Sequence, residues 1–140
     1  AQSKWLGEEM ADAFCRRREL QIASMRFHWL ARTEEREQSE KTPQTDPTRR
    51  DRLHFWGWAH VDHAAEACCL AIEVDWTGHE VFLINADDTQ LSIPTIDAIA
   101  QVYPDVPVNK PIEGFGTAID NSKAKEMLGW SHPTSWLRDE

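Results

Sequence analysis

The sequence is poor in several residue types, and each shortage excludes a class of function. Its 140 residues include one Tyr, six Gly and three Cys, and the basic residues are mostly Arg. No apolar run approaches the ~18 residues that a membrane-spanning helix needs, so we expect no membrane partner. The 15 basic residues are outnumbered by 24 acidic ones, and the net charge of −9 argues against nucleic acid as the main partner.

The cysteines do not suggest a disulfide framework, because their number is odd and two of them are adjacent. They are Cys15, Cys68 and Cys69. The adjacent pair lies in an apolar helical run, where a free cysteine behaves as a small hydrophobic residue. We therefore expect free thiols and a cytoplasmic, reducing compartment.

The residues that are present are sufficient for a hydrophobic core. Hydrophobic residues make up 41% of the chain and include seven Trp, each of which can bury a large area. The length fits one domain or half of a larger one. Apolar residues recur at helical spacing from Trp5 to Phe14, which predicts a helix over residues 3–18. Because this helix opens the chain almost at once, we expect the chain to begin inside a longer protein.

Short apolar segments alternate with helical patterns along the rest of the chain, which indicates the α/β class. The patterns predict strands over 20–30, 53–61 and 80–86, an edge strand at 106–108, and helices over 64–74, 95–102 and 123–128. Asp62 and Pro94 are placed to begin helices, and Gly129 to end the last one. The polar stretch 32–51 predicts a solvated loop or a disordered lid.

Five segments, in order, resemble extended short-chain dehydrogenases/reductases, the NAD-dependent epimerase/dehydratase family. Ser3-Lys4 followed by Gly7-Glu8 is similar to the family's Y-x-x-S-K-x-x-G-E segment, and the next strand ends in Arg26 as the family's strand does. AHVDHAA at 59–65 is similar to V-H-V-D-D-V-A, and the strand EVFLINA follows at 80–86. IDNSKAKEMLGW at 119–130 resembles the family's D-x-S-K-A-x-x-x-L-G-W tail.

The resemblance implies the C-terminal part of a Rossmann-like NAD(P)-binding fold plus a small α/β substrate domain. The end of the Rossmann-like domain would cover 1–31, a polar loop 32–52, and the remaining strands with the substrate-binding portion 53–140. The whole protein would be an oxidoreductase or isomerase that uses NAD or NADP on a sugar or nucleotide sugar. Its partners would be the missing N-terminal half and, through the first helix, a second copy of itself.

Three residues are implied at the site. Lys4 would act in catalysis and cofactor binding, since the family's Lys contacts the nicotinamide ribose and favours the ionised form of the catalytic Tyr. That Tyr would stand immediately before Ala1. Phe27 and His28 would lie at the cofactor, in a segment where the family often has R-P-x-N-x-Y-G-P.

This sequence departs from the pattern at several points. Phe27 and Trp29 stand where that motif has Pro and Asn, so a common sugar-binding Asn is absent, and His63 replaces the second Asp of the family's pair. The close glycine pair Gly114-Phe115-Gly116 lacks the strand–helix context of a phosphate-binding loop. Tyr103, the one Tyr, lies in the wrong element, so we expect the chain alone to be inactive.

Two alternatives remain open from the residues. The chain could be a non-catalytic binding module that kept this fold. It could also be a small metal-binding domain, with ligands drawn from His54, His60, His63 and the adjacent cysteines, although their spacing fits no zinc finger. Trp56 and Trp58 could stack on a sugar or base, but core packing is favoured for both.

Overall fold

The computed structural model describes residues 2–40 and 43–136, which form a mixed α/β structure with short parallel strands and five α-helices. The helices are α1 (Gln2–Arg17), α2 (Thr33–Glu40), α3 (Val61–Glu73), α4 (Thr95–Val102) and α5 (Ser122–Leu128). The strands are β1 (Gln21–Phe27), β2 (Trp29–Ala31), β3 (Trp58–His60) and β4 (Gly78–Ile84). No helix in these ranges is long and apolar enough to cross a membrane.

The strands form two parallel ladders. β1 pairs with β4 in a register that runs from Gln21 opposite Gly78 to Phe27 opposite Ile84. After one residue the chain continues into β2, which pairs with β3 instead. The backbone N–H of Ala86 donates to the carbonyl of Trp58 at 2.6 Å, so the segment after β4 meets β3 directly. α3 makes the connection from β3 to β4.

The main core lies where α3 and α5 cover the β1–β4 ladder. The buried residues that α3 contributes to it are Ala64, Ala67 and Ala71, with Leu70 partly buried beside them, and β4 contributes Phe82 and Ile84. The small side chains of α3 leave room for the larger rings of Phe82 and Trp130, which pack in the same cluster. The tryptophans predicted for the core and the tail anchor are all buried, namely Trp56, Trp58, Trp130 and Trp136.

Three helices match their predictions closely because local signals define them. α4 spans Thr95–Val102 as predicted, with Pro94 before its first residue. α5 ends at Gly129, whose φ of 67° is left-handed and whose N–H donates to carbonyls of the last turn. α1 covers the predicted range to within a residue at each end.

The strand predicted over 20–30 is interrupted at His28, and none of the seven residues of β1 is fully buried. The polar stretch predicted as a loop within 32–52 instead begins with α2. Its start is capped, since Glu35 accepts the backbone N–H of Arg32 at 2.9 Å. A helix needs no apolar face where a cap and a tertiary contact hold it, and here Arg36 donates to the carbonyl of Ser135 at 3.0 Å. Residues 41 and 42 of that predicted loop lie outside the described part.

The prediction of a strand over 53–61 is correct only for β3. Before it, Arg50–His54 forms a 3₁₀ turn, and Phe55 and Trp56 both adopt a left-handed φ of 54°. Asp62 does not cap α3, because the capping residue is His60, whose Nδ1 accepts the N–H of Asp62 at 3.3 Å. No strand forms at 106–108, where Pro107 leaves the backbone irregular.

Cys68 and Cys69 do not pack in the core as small hydrophobic residues. Both are exposed free thiols on α3, and Cys15 is a partly buried free thiol. The alanines at 64, 67 and 71 take the inward face of α3, which leaves the adjacent cysteines on the outward side.

Candidate functional site

The direction of α1 determines which end of the sheet Lys4 approaches. Late in the helix, the thiol of Cys15 donates to the carbonyl of Leu20, just before β1 begins. Earlier, Glu8 accepts two hydrogen bonds from Arg26, near the end of β1, at 2.7 and 2.5 Å. α1 therefore runs antiparallel to β1, and its first turn lies at the carboxyl ends of β1 and β4. Lys4 stands one turn before Glu8, about 6 Å further along the helix axis.

The contact between Glu8 and Arg26 is the most direct link between the Lys4 helix and the strand. The bidentate hydrogen bonds lower the pKa of Glu8 and raise that of Arg26. Arg26 is the strand-ending Arg of the family resemblance, so this residue has a structural partner in the described part of the chain. Its guanidinium is half exposed, so the contribution of the pair to stability is small.

A second link joins α1 to both strands. The His79 imidazole lies 2.9 Å from an Asp12 carboxylate oxygen through Nδ1 and 2.8 Å from the Ser24 hydroxyl through Nε2. The order carboxylate, imidazole, hydroxyl is also that of hydrolase triads. Here the three groups lie between α1 and the sheet, whereas the groove beside β1 is lined by Ala23 and Met25, the neighbours of Ser24 that point to the other side. We therefore interpret the arrangement as a structural clamp and name it the His79 clamp.

Lys4 itself is exposed, and it has no hydrogen-bond or ion-pair partner within the described ranges. It lies on the face of α1 that also carries Glu8 and Asp12, because residues four apart lie above one another on a helix. This face packs on the sheet through Ala11, the buried residue of α1. The role of Lys4 in catalysis and cofactor binding stays a prediction.

His28 lies at the carboxyl end of β1, where the chain passes from one ladder to the other. It packs against Gly57, since a Cβ added to Gly57 would lie 3.0 Å from the His28 ring and 2.8 Å from Ile119 Cδ1. Burial lowers the pKa of His28, and the charge of His54 lowers it further. Phe27, the other residue predicted at the cofactor, is 39% exposed. The roles of His28 and Phe27 at the cofactor stay predictions.

A cavity of about 510 Å³ lies next to the segment that follows β4. We call it the apolar cavity, and its lining comprises Phe55, Ile99, residues 106–112 and residues 117–121. Asn121 fixes its position, because its side-chain amide donates to the carbonyl of Asn85 and to Asp87, both at 2.8 Å. The cavity therefore lies at the carboxyl end of β4, the end at which open parallel sheets bind ligands.

Ile119 connects the cavity to the contact around His28. Its side chain lines the cavity and also meets Gly57 beside the His28 ring. The sequence patterns did not reveal this cavity, since most of its wall is irregular backbone with no periodic signal. The glycines at 114 and 116 gave no indication of the cavity either, because they do not line it. They belong to a turn in which the Gly116 N–H donates to the carbonyl of Glu113.

The structure brings together three histidines, including the two predicted as metal ligands near the start of α3. The rings of His60 and His63 are 5.5 Å apart, and that of His132 is 4.7 Å from His63. Each ring has a local hydrogen bond; His132, for example, accepts the backbone N–H of His60 at 2.8 Å. In the described part of the chain no group of three His, Cys, Asp or Glu could hold a metal ion. The histidines therefore join the tail to α3, and the metal-binding alternative has no support from the geometry.

Tyr103 is far from Lys4 in chain position and is engaged elsewhere. Its hydroxyl donates to the carbonyl of Arg52 at 2.6 Å, and its ring packs against Phe55 at a centroid distance of 5.2 Å. It is partly buried against the core cluster that includes Ile99, so it packs there.

No protein-family model matches this chain, and searches of curated proteins and of solved structures find no match either.

Proposed function

We propose that this chain forms the substrate-side part of an NAD(P)-dependent epimerase/dehydratase. In this proposal it is the C-terminal part of a Rossmann-like fold with a small α/β substrate domain, and the enzyme acts on a hydroxyl group of a sugar or nucleotide sugar. The supporting observation is that α1 runs antiparallel to β1, so that Lys4, His28 and the apolar cavity lie at one end of the parallel ladder.

In this proposal the chain contacts only the nicotinamide end of a dinucleotide. This sequence contains no Gly-rich strand–helix turn that could cradle a pyrophosphate. NAD(P), when bound by the other half, would supply hydride transfer. Lys4 would hold the ribose and stabilise a tyrosinate beside it, while His28 and Phe27 would border the nicotinamide. The apolar cavity would then hold the rest of the substrate.

The gene provides the first test. We expect the reading frame that contains this chain to encode a Tyr immediately before Ala1 and a Gly-rich βαβ unit upstream of it. In the protein made from that frame, Lys4→Ala should lower kcat by about 100-fold, because the tyrosinate loses its neighbouring positive charge. Chromatography of the products formed from a panel of sugars and nucleotide sugars measures kcat.

Gln2→Ala is the matched control, since Gln2 is an exposed residue in the same first turn and should leave kcat unchanged. The 140-residue chain alone should show no NAD reduction, because it has neither cradle nor phenol beside Lys4. A reading frame without the Tyr would contradict the enzyme proposal and favour the non-catalytic binding module. Turnover by the isolated chain would contradict the proposal that the pyrophosphate cradle and the catalytic Tyr belong to the other half.

A further inference from the structure

The wall of the apolar cavity shows which kind of molecule it can hold. Its deeper part is hydrocarbon, with Ile99 only 5% exposed and Ile112 and Phe55 packed against the same cluster. Pro107, Val108 and Pro111 continue this surface towards solvent. The volume of about 510 Å³ is in the range of small-molecule sites, which are mostly apolar with a few polar groups.

The side chains of Asn121 and Thr117, two polar groups of the wall, are bonded to the protein itself. Both amide hydrogen bonds donated by Asn121 go to Asn85 and Asp87. The Thr117 hydroxyl accepts from the Asn85 amide at 3.3 Å and from the N–H of Ile119 at 3.2 Å. These bonds hold the shape of the wall and do not provide donors directed at an anion.

The wall contains one basic side chain, Lys110, within the described residues. Its ammonium lies 3.0 Å from a carboxylate oxygen of Asp120, and both side chains are largely exposed at the rim. Asp120 also accepts the side-chain and backbone hydrogen bonds of Ser122, and these contacts together with Lys110 lower the pKa of Asp120 well below its usual range. The one lysine of the described wall thus already has a carboxylate partner at the rim.

A nucleoside diphosphate sugar carries negative charge on both phosphates, and burying charge without a partner is costly. Sites for such groups use arginine, lysine or backbone N–H groups to balance the charge. No arginine lines the described part of the cavity, its one lysine is paired with Asp120, and the chain has a net charge of −9. We infer that the cavity takes an uncharged, hydroxyl-bearing molecule with an apolar body, and that it excludes nucleoside diphosphate sugars. The hydroxyl group in this inference rests on the proposed function.

The test compares two probes on the full chain with isotopically labelled isoleucine methyl groups. We expect phenyl glucoside, which is uncharged, to shift the signals of Ile112 and Ile119 in a saturable manner. UDP-glucose should bind at those methyl groups at least about tenfold more weakly, because its charge is not balanced. Ile72, which is 83% exposed on α3 and lies outside this cavity, is the internal control and should not shift.

Val108→Lys tests the physical reason, since Val108 is 41% exposed at the cavity and tolerates a longer side chain. The added cation should strengthen UDP-glucose binding several-fold. Leu53→Lys, which adds the same charge at a side chain outside this cavity, should not. Three outcomes would each overturn the inference. The unmodified chain could bind UDP-glucose as tightly as phenyl glucoside or more tightly, it could bind neither probe, or Val108→Lys could leave UDP-glucose binding unchanged. None of these results depends on the upstream Tyr, so failure here and failure of the proposed function remain distinguishable.

Discussion

His132 shows how burial alters the chemistry of a single residue. It is 6% exposed, its Nε2 accepts the backbone N–H of His60, and it faces the rings of Trp58 and His63. Its pKa is lowered to about 4, mainly by burial and also by the nearby His63 charge, against the opposing effect of Asp88. Since the bond requires a neutral acceptor nitrogen, this contact between tail and strand depends on pH.

We predict that the folded state loses stability as the pH falls from 6.5 towards 4. In that window the unfolded chain binds a proton at His132 more readily than the folded chain does, so acid favours unfolding. His132→Gln keeps an acceptor but cannot titrate, so its melting temperature should fall less steeply over the same range. Thermal denaturation of both proteins across this window measures the difference, and parallel curves would contradict the assignment.

At the scale of elements, the His79 clamp determines where α1 lies. The His79 side chain is 3% exposed and joins α1 to both strands of the main ladder through Asp12 and Ser24. The rest of this face of α1 is small or polar, with Ala11 as its buried residue. The helix is therefore held by directed bonds more than by apolar packing, and these bonds set the position of Lys4 beyond the end of β1.

His79→Ala should lower the free energy of unfolding by about 2 kcal/mol, because two hydrogen bonds are lost and their partners stay partly buried. Ser24→Ala removes one of the two bonds and should cost about 1 kcal/mol. Urea denaturation of the two variants and the wild type provides the comparison. Equal effects of the two substitutions would show that Asp12 contributes nothing to the clamp.

At the scale of the whole molecule, α1 presents its apolar side away from the sheet. Trp5, Leu6, Met10 and Phe14 are each more than half exposed. Four large apolar side chains on one helix form a contiguous surface of the kind that usually marks an interaction site. The family resemblance implies a second copy of the chain as the partner of this helix.

We expect the chain to self-associate through this face. Met10→Glu places a charge at its centre and should convert the associated form to a monomer, whereas Leu53→Glu, at another exposed apolar residue, should not. Sedimentation equilibrium over a range of concentrations measures both variants. A wild-type chain that stays monomeric throughout would contradict the expectation.

Some features of this protein were determined by the sequence alone, because their causes are local. Pro94 and the apolar spacing after it define α4, and Gly129 ends α5 by adopting a left-handed φ that other residues avoid. The α/β class follows from alternating apolar segments and helical patterns in the same way.

Other features were decided only by tertiary structure, because they depend on which elements meet. His60 caps α3 while His132 binds its backbone, and these residues are far apart in the chain. The cysteines at 68 and 69 are exposed because alanines take the face of α3 that the core requires. The apolar cavity arises where an irregular loop, the 3₁₀ turn and the end of β4 come together. Local patterns carry no information about such encounters, so the shape and charge of the cavity could be read only from the folded chain.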